Sequence, residues 1–139
     1  MAIAGITPDQ LQRAIEILVK EFNPVLIYLF GSAVRSELRV DSDIDLAFLS
    51  DKTRDGYEVF RVAQQLAEVF NRDVDLIDLQ KASTVMKAQI VAYGKHIYET
   101  DLNRRINFEI VALKEYALLN EERQVVLDSF VKGENSDAQ

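Results

Sequence analysis

Cysteine is absent from the sequence, so neither a disulfide framework nor a thiolate metal site is available, which fits a reducing compartment. Basic charge is scarce. Lys and Arg number 16 against 23 Asp and Glu, a net charge of −7, which excludes an overall positive field for tracking nucleic acid. Direct nucleic-acid binding is therefore not expected. Histidine occurs once, at His96, and with no second His or Cys to share a metal it is assigned a surface or structural place. The first residues lack the basic, apolar and small-residue order of a signal peptide, and no segment approaches ~18 continuous apolar residues. A soluble, cytoplasmic protein without membrane association is expected. Internal repeats and low-complexity tracts are also missing. At 139 residues the length suits one domain with a real hydrophobic core, and leaves no room for a separate substrate domain.

What is present centres on residues 25–49. An apolar run from Val25 to Phe30 has the length and β-rich character of a buried strand, and Gly31-Ser32 ends it in a turn. A polar stretch leads to Asp43-Ile44-Asp45-Leu46, where two carboxylates alternate with apolar side chains. In a strand, residues two apart project from one face roughly 6.5 Å apart, so Asp43 and Asp45 can converge on one cation or a close pair. Without a cation they would repel. Hard divalent ions such as Mg²⁺ take oxygen ligands and keep positions free for substrate phosphate when few carboxylates hold them. Gly31 lets the backbone approach a phosphate and expose N–H groups, and the Ser32 hydroxyl adds a donor.

Around this segment the elements alternate. Thr7-Pro8-Asp9-Gln10 has the form of a capping box with proline at the first helical position, and the helix it opens carries Leu11, Ala14, Ile15, Leu18, Val19 and Phe22 at helical spacing until Asn23-Pro24. Ser32 to about Glu37 is expected to form a short helix whose free N–H groups and positive dipole end face the Ser32 hydroxyl. Asp41, at the entrance of the next strand, is assigned to a turn. Tyr57, Phe60, Ala63, Leu66, Ala67 and Phe70 mark a second amphipathic helix, its aromatics expected in the core. Asp73 to Leu79 forms a third strand on which Asp73 and Asp75 share a face and Asp78 points the other way. A third helix is expected from Lys81 to Tyr93, with Val85, Met86 and Ile90 inward and Gly94 as C-cap, then a short strand, 95–99, in which Tyr98 packs.

From Asp101 to about Val131 the sequence is strongly helical. Leu102, Ile106, Ile110, Leu113 and Ala117 form one stripe, while Phe108, Val111, Leu118, Leu119, Val125, Val126 and Phe130 spread apolar surface beyond it. One helix on a small domain cannot bury both sides. Either it folds back as two helices near Asn120-Glu121 or part of it meets another chain, and the partner surface is preferred. The organisation expected is a domain over 1–99, a helical extension over 100–132 and a disordered polar tail over 133–139.

Gly31-Ser32, ten intervening residues and Asp43-Ile44-Asp45 resemble the signature of the DNA polymerase beta nucleotidyltransferase superfamily. The small size resembles its minimal nucleotidyltransferase (MNT) branch, of the kind paired with HEPN proteins in toxin–antitoxin modules. The resemblance covers roughly residues 7–99 and implies an α/β (α+β) fold: a small mixed β-sheet flanked by helices, here with a C-terminal helical extension. It implies a third carboxylate from the strand beside the Asp-x-Asp strand. Asp75 is chosen because it lies within the apolar stretch, although Asp73 matches it in parity. Arg35 is implied as a phosphate contact, Arg39 less so. The family's glycine after this arginine is replaced by Ser36.

The activity implied is transfer of a nucleoside monophosphate from a triphosphate to a hydroxyl, with two Mg²⁺ ions bridged by Asp43 and Asp45, Asp75 on the nucleophile side, and Gly31 and Ser32 on the β- and γ-phosphates. The resemblance implies ATP as donor, and as acceptor a tyrosine of a HEPN ribonuclease toxin in a hetero-oligomeric complex, inactivated by AMPylation. No residue pattern reads out adenine or tyrosine. Two other readings stay open: transfer to a small molecule such as an aminoglycoside, and an antitoxin that neutralises its partner by binding alone. The intact motif weighs against the latter.

Overall fold

The computed structural model describes residues 5–35 and 42–137, with side chains as far as Lys132. Arg39, Asp41 and Ser36 lie outside the described residues. Within them the order is α1 (Pro8–Phe22), β1 (Leu26–Phe30), a 3-10 turn (Gly31–Ala33), β2 (Ile44–Leu49), α2 (Gly56–Phe70), β3 (Val74–Asp78), α3 (Thr84–Tyr93), β4 (Lys95–Glu99) and α4 (Leu102–Asp137). The strands form one mixed sheet in the order β3-β2-β1-β4. β1 runs antiparallel to both β2 and β4, whereas β2 and β3 are parallel and use α2 as the crossover that parallel neighbours require. This is the small mixed sheet with flanking helices that the sequence predicts.

Local chemistry explains the helix ends. The Thr7 hydroxyl accepts from the Gln10 N–H at 3.1 Å while the Gln10 side chain accepts from the Thr7 N–H at 3.0 Å, a complete capping box. Asn23, in the left-handed region with φ 45°, closes α1, and Asn71, with φ 53°, closes α2 in the same way. The face of α1 carrying Leu11, Ala14, Leu18 and Phe22 is buried against one side of the sheet together with Val62, Leu66 and Phe70 of α2. Phe22 stacks on Phe48 of β2 with ring centroids 4.5 Å apart. Burial of each such side chain stabilises the fold by about 1.5–3 kcal/mol.

Tyr57 and Phe60 do not join this core: they are 72% and 62% exposed. The buried stripe of α2 is Val62, Ala63, Leu66, Val69 and Phe70. At 3.6 residues per turn Tyr57 and Phe60 lie roughly 180° and 120° from Leu66, so the pattern of aromatics had the wrong phase. The other side of the sheet buries Leu26, Tyr28 and Ala47 against Ile90 of α3, with Met86 and Phe108 packed alongside. α3 starts later than Lys81 because the Asp78 backbone carbonyl and carboxylate take the N–H groups of Lys81 and Gln80, leaving Ser83 to cap the helix by accepting from the Met86 N–H at 3.1 Å. Gly94 does end α3, but with extended backbone at φ −83°. Glycine is needed there for space: a Cβ would lie 2.4 Å from the Ile90 carbonyl oxygen.

α4 is a single helix through Asn120-Glu121, with Asp101 accepting from the Asn103 N–H at its start. Its first half is fastened to the sheet. The buried Tyr28 hydroxyl donates to Glu109 at 2.9 Å, and Arg105 bonds both Glu109 and Glu99 of β4. Burial and the Glu109 carboxylate push the Tyr28 phenol above its ordinary range. Ala112 faces inward, whereas Leu102, Ile106, Ile110 and Leu113 of the expected stripe are exposed. From Asn120 to Lys132 every side chain is exposed. The helix continues to Asp137, where a disordered tail was expected from 133; Gly133 weakens a helix interior by about 1 kcal/mol without stopping it.

Candidate active site

The end of β1 and the start of β2 meet at one point. Phe30 pairs with Asp45 across the antiparallel ladder, and the next residue, Gly31, turns the chain with φ +75°. A Cβ on Gly31 would lie 2.1 Å from Asp45 Oδ2. Glycine is thus required twice, for its backbone angle and for the close approach of its backbone to a carboxylate. The chain then makes one 3-10 turn, with the Gly31 carbonyl accepting from the N–H groups of Val34 and Arg35, each at 3.2 Å. This replaces the described part of the helix expected from Ser32. A single turn sums few peptide dipoles, so phosphate binding would depend on backbone N–H groups and the Ser32 hydroxyl rather than on a macrodipole.

The third strand end arrives through β3. Asp75 stands opposite Asp45 in the parallel ladder, and both lie on the sheet face that carries α3 and α4. Asp43 sits just ahead of β2 and is exposed. Asp75 is exposed as well, so burial does not single it out, contrary to the expectation from the apolar stretch around it. Register differs between the two: Asp75 pairs with Asp45 itself, whereas Asp73 is one ladder step away, its carbonyl accepting from the Ile44 N–H at 2.9 Å, and it lines a cleft with Ser42, Asp43, Glu68 and Arg72. Asp78 lies on the opposite face, as expected, and its carboxylate accepts from the backbone N–H groups of Arg54 and Gln80, both at 3.0 Å.

The electrostatics tie the carboxylates together. Burial, then the charges of Asp75 and Asp43, push the Asp45 carboxyl up to about 6, with Arg35 pulling the other way. Four sequence-derived site residues therefore act on one another here. Among the described residues, no three His, Cys, Asp or Glu side chains are drawn close enough to form a ready-made metal site. The carboxylates are near enough to repel and not yet converged. That donor set, all oxygen and destabilised by its own charge, suits a hard divalent cation, which would relieve the repulsion.

Between the 3-10 turn and α3 lies a cleft of about 580 Å³, lined by Gly31, Val34 and Arg35 from the turn and by Met86, Gln89 and Tyr93 from α3. Gln89 and Tyr93 are not singled out by the sequence. Met86, Gln89 and Tyr93 do recur at helical spacing, but no local pattern indicates that this stripe faces Gly31. His96 lies exposed on β4.

Residues 12–103 match the polymerase beta nucleotidyltransferase family. The protein adenylyltransferase MntA of Shewanella oneidensis is 40% identical over 103 residues, 74% of this chain and 73% of that protein. A chain from the crystal structure of a toxin–antitoxin with AMP-PNP superposes with a TM-score of 0.78 at 35% identity, covering 87% of this chain and 98% of that one. A chain from the complex of the tri-AMPylated Shewanella oneidensis HEPN toxin with its MNT antitoxin gives a TM-score of 0.72 at 34% identity, covering 88% and 96%. With its mixed sheet, its Gly31-Ser32 turn and its Asp43 and Asp45 pair in the matched segment, the chain belongs to the polymerase beta nucleotidyltransferase family.

Proposed function

We propose that the protein transfers AMP from ATP to a hydroxyl of a HEPN-type toxin, a tyrosine by preference, and so serves as the antitoxin of a cytoplasmic toxin–antitoxin pair. One observation carries the reading: Asp45 stands in register with Asp75 and hard against Gly31, bringing three strand ends to one charged spot. The relationship to MntA, and to a chain bound to a tri-AMPylated toxin, supports the substrate class. No helix among the described residues is long and apolar enough to cross a membrane.

In the transfer, the acceptor oxygen bonds to the α-phosphorus, the bond from that phosphorus to the bridging oxygen breaks, and pyrophosphate leaves. The hydroxyl proton passes to Asp75. The Gly31 backbone and the Ser32 hydroxyl hold the β- and γ-phosphates, and Arg35 adds positive charge beside them. A pair of Mg²⁺ ions held by Asp43, Asp45 and Asp75 would neutralise the triphosphate and acidify the acceptor hydroxyl. Asp45 must be ionised to serve, which its carboxyl at about 6 allows at neutral pH. The exposed stretch of α4 from Asn120 to Lys132, carrying Val125, Val126, Leu127 and Phe130, is the surface we assign to the partner.

Intact-protein mass spectrometry of the cognate toxin after incubation with this protein, ATP and Mg²⁺ tests the proposal. Increments of one or more AMP units are expected, and none with Asp43→Ala/Asp45→Ala. An unmodified toxin that both proteins still neutralise would replace catalysis with simple binding.

A further inference from the structure

Two aromatics stand on α2 outside the core. Tyr57 is 72% and Phe60 62% exposed, and one turn apart they are neighbours on the helix surface, a paired apolar patch. The face they occupy continues. At 3.6 residues per turn Tyr57, Phe60, Gln64, Ala67, Glu68 and the capping Asn71 fall within a sector roughly 100° wide. Gln64, Ala67, Glu68 and Asn71 also line the cleft that Asp43, Arg72 and Asp73 share. An aromatic patch and a carboxylate assigned to the metal therefore lie on one continuous track. From Phe60 to Asn71 the helix advances roughly 16 Å, which an extended chain covers in about five residues. That span fits a polypeptide. Charge adds a second constraint, since Glu68 and Asp73 outnumber Arg72 in the cleft even when Asp43 is engaged by the donor's cations, on a chain of net charge −7. A cationic segment is favoured there.

We infer that this face of α2 is where the acceptor protein lays the segment carrying its hydroxyl: an apolar side chain seats on Tyr57 and Phe60, a basic residue lies over Glu68 and Asp73, and the hydroxyl enters the cleft beside Asp43. Resting on the nucleotidyl-transfer reading, the inference extends it to how the acceptor is recognised. α2 packs on the opposite side of the sheet from α4, so this is a second contact, separate from the stretch of α4 assigned to the partner. Aromatic anchors of this kind carry a large share of binding energy, because they bury wide apolar area at a low cost in rotamer freedom.

Modification rates measured against increasing concentrations of the cognate toxin, with ATP and Mg²⁺ saturating, separate recognition from chemistry. Tyr57→Ala/Phe60→Ala should raise the half-saturating toxin concentration about tenfold or more and leave the maximal rate within about twofold. Phe60→Leu, which keeps an apolar side chain in place, should stay close to the parent. Glu68→Lys should raise the half-saturating concentration as well and flatten its dependence on salt. Because each of these side chains is exposed, the variants should melt with the parent, and AMP-PNP with Mg²⁺ should bind all of them equally in titration calorimetry. An unchanged half-saturating concentration in the double variant would overturn the inference, as would a loss confined to the maximal rate or one matched by weaker AMP-PNP binding. So would a salt dependence unchanged in Glu68→Lys. A toxin left unmodified by the parent would instead overturn the transfer reading beneath it.

Discussion

The two faces of the sheet are built to different ends. On the α1/α2 face, Ile44, Leu46 and Phe48 of β2 are fully buried, and the buried carboxylate of Asp78 is held by two backbone N–H donors. On the α3/α4 face the same strand presents Asp45, whose charge is disfavoured by burial and by two neighbouring carboxylates. The first face satisfies its buried carboxylate. The second leaves one destabilised, and a folded protein keeps such a conflict where chemistry needs it.

Substitutions on β2 and its neighbours should separate the two faces, beginning with the largest effect. Leu46→Ala, on the packed face, should cost about 2–5 kcal/mol in denaturant unfolding, because a fully buried position leaves a cavity. Gly31→Ala should cost about 1–3 kcal/mol for the strained backbone and, by pushing Asp45 aside, abolish transfer in a toxin-modification assay. Asp45→Asn should do the reverse for stability while also abolishing transfer.

The sign for Asp45 comes from linkage. Its carboxyl is raised from 3.8 to about 6, so the folded state holds the proton more tightly and stability falls as pH rises through that window. Asp45→Asn removes the penalty. The variant should match the parent near pH 4 and exceed it by on the order of 1–2 kcal/mol above pH 6, after solvent screening, as thermal melts without divalent cation would report. Saturating Mg²⁺ should narrow the gap by stabilising the parent alone. Smallest of the four, and remote from the site, Thr7→Ala should cost about 1 kcal/mol of stability and leave transfer intact.

Legibility in the sequence tracked the range of the interaction. The capping box at Thr7 and Gln10 is local, and it was readable residue by residue. So was the pairing of Asp43 with Asp45, because a strand has period two. Depth is no guide to Asp75, which is exposed; it stands opposite Asp45 through the parallel register of β2 and β3. Tyr57 and Phe60 are large without being buried, because the phase of α2 is set by the smaller Val62 and Leu66. The continuity of α4 past Asn120 depended on there being no breaker, which apolar patterning alone does not register. Gln89 and Tyr93 meet Gly31 only through the tertiary fold.

A paramagnetic cation can report directly which face of the sheet binds it. Mn²⁺ favours carboxylate ligands and broadens nearby amide resonances in NMR spectra. Substoichiometric Mn²⁺ should broaden Gly31, Ser32, Asp45 and Asp75 first, leave Asp78 and Arg54 on the opposite face sharp, and lose its focus in Asp45→Asn. Broadening that begins at Asp78, or that is unchanged by Asp45→Asn, would contradict a cation site built from these three strand ends.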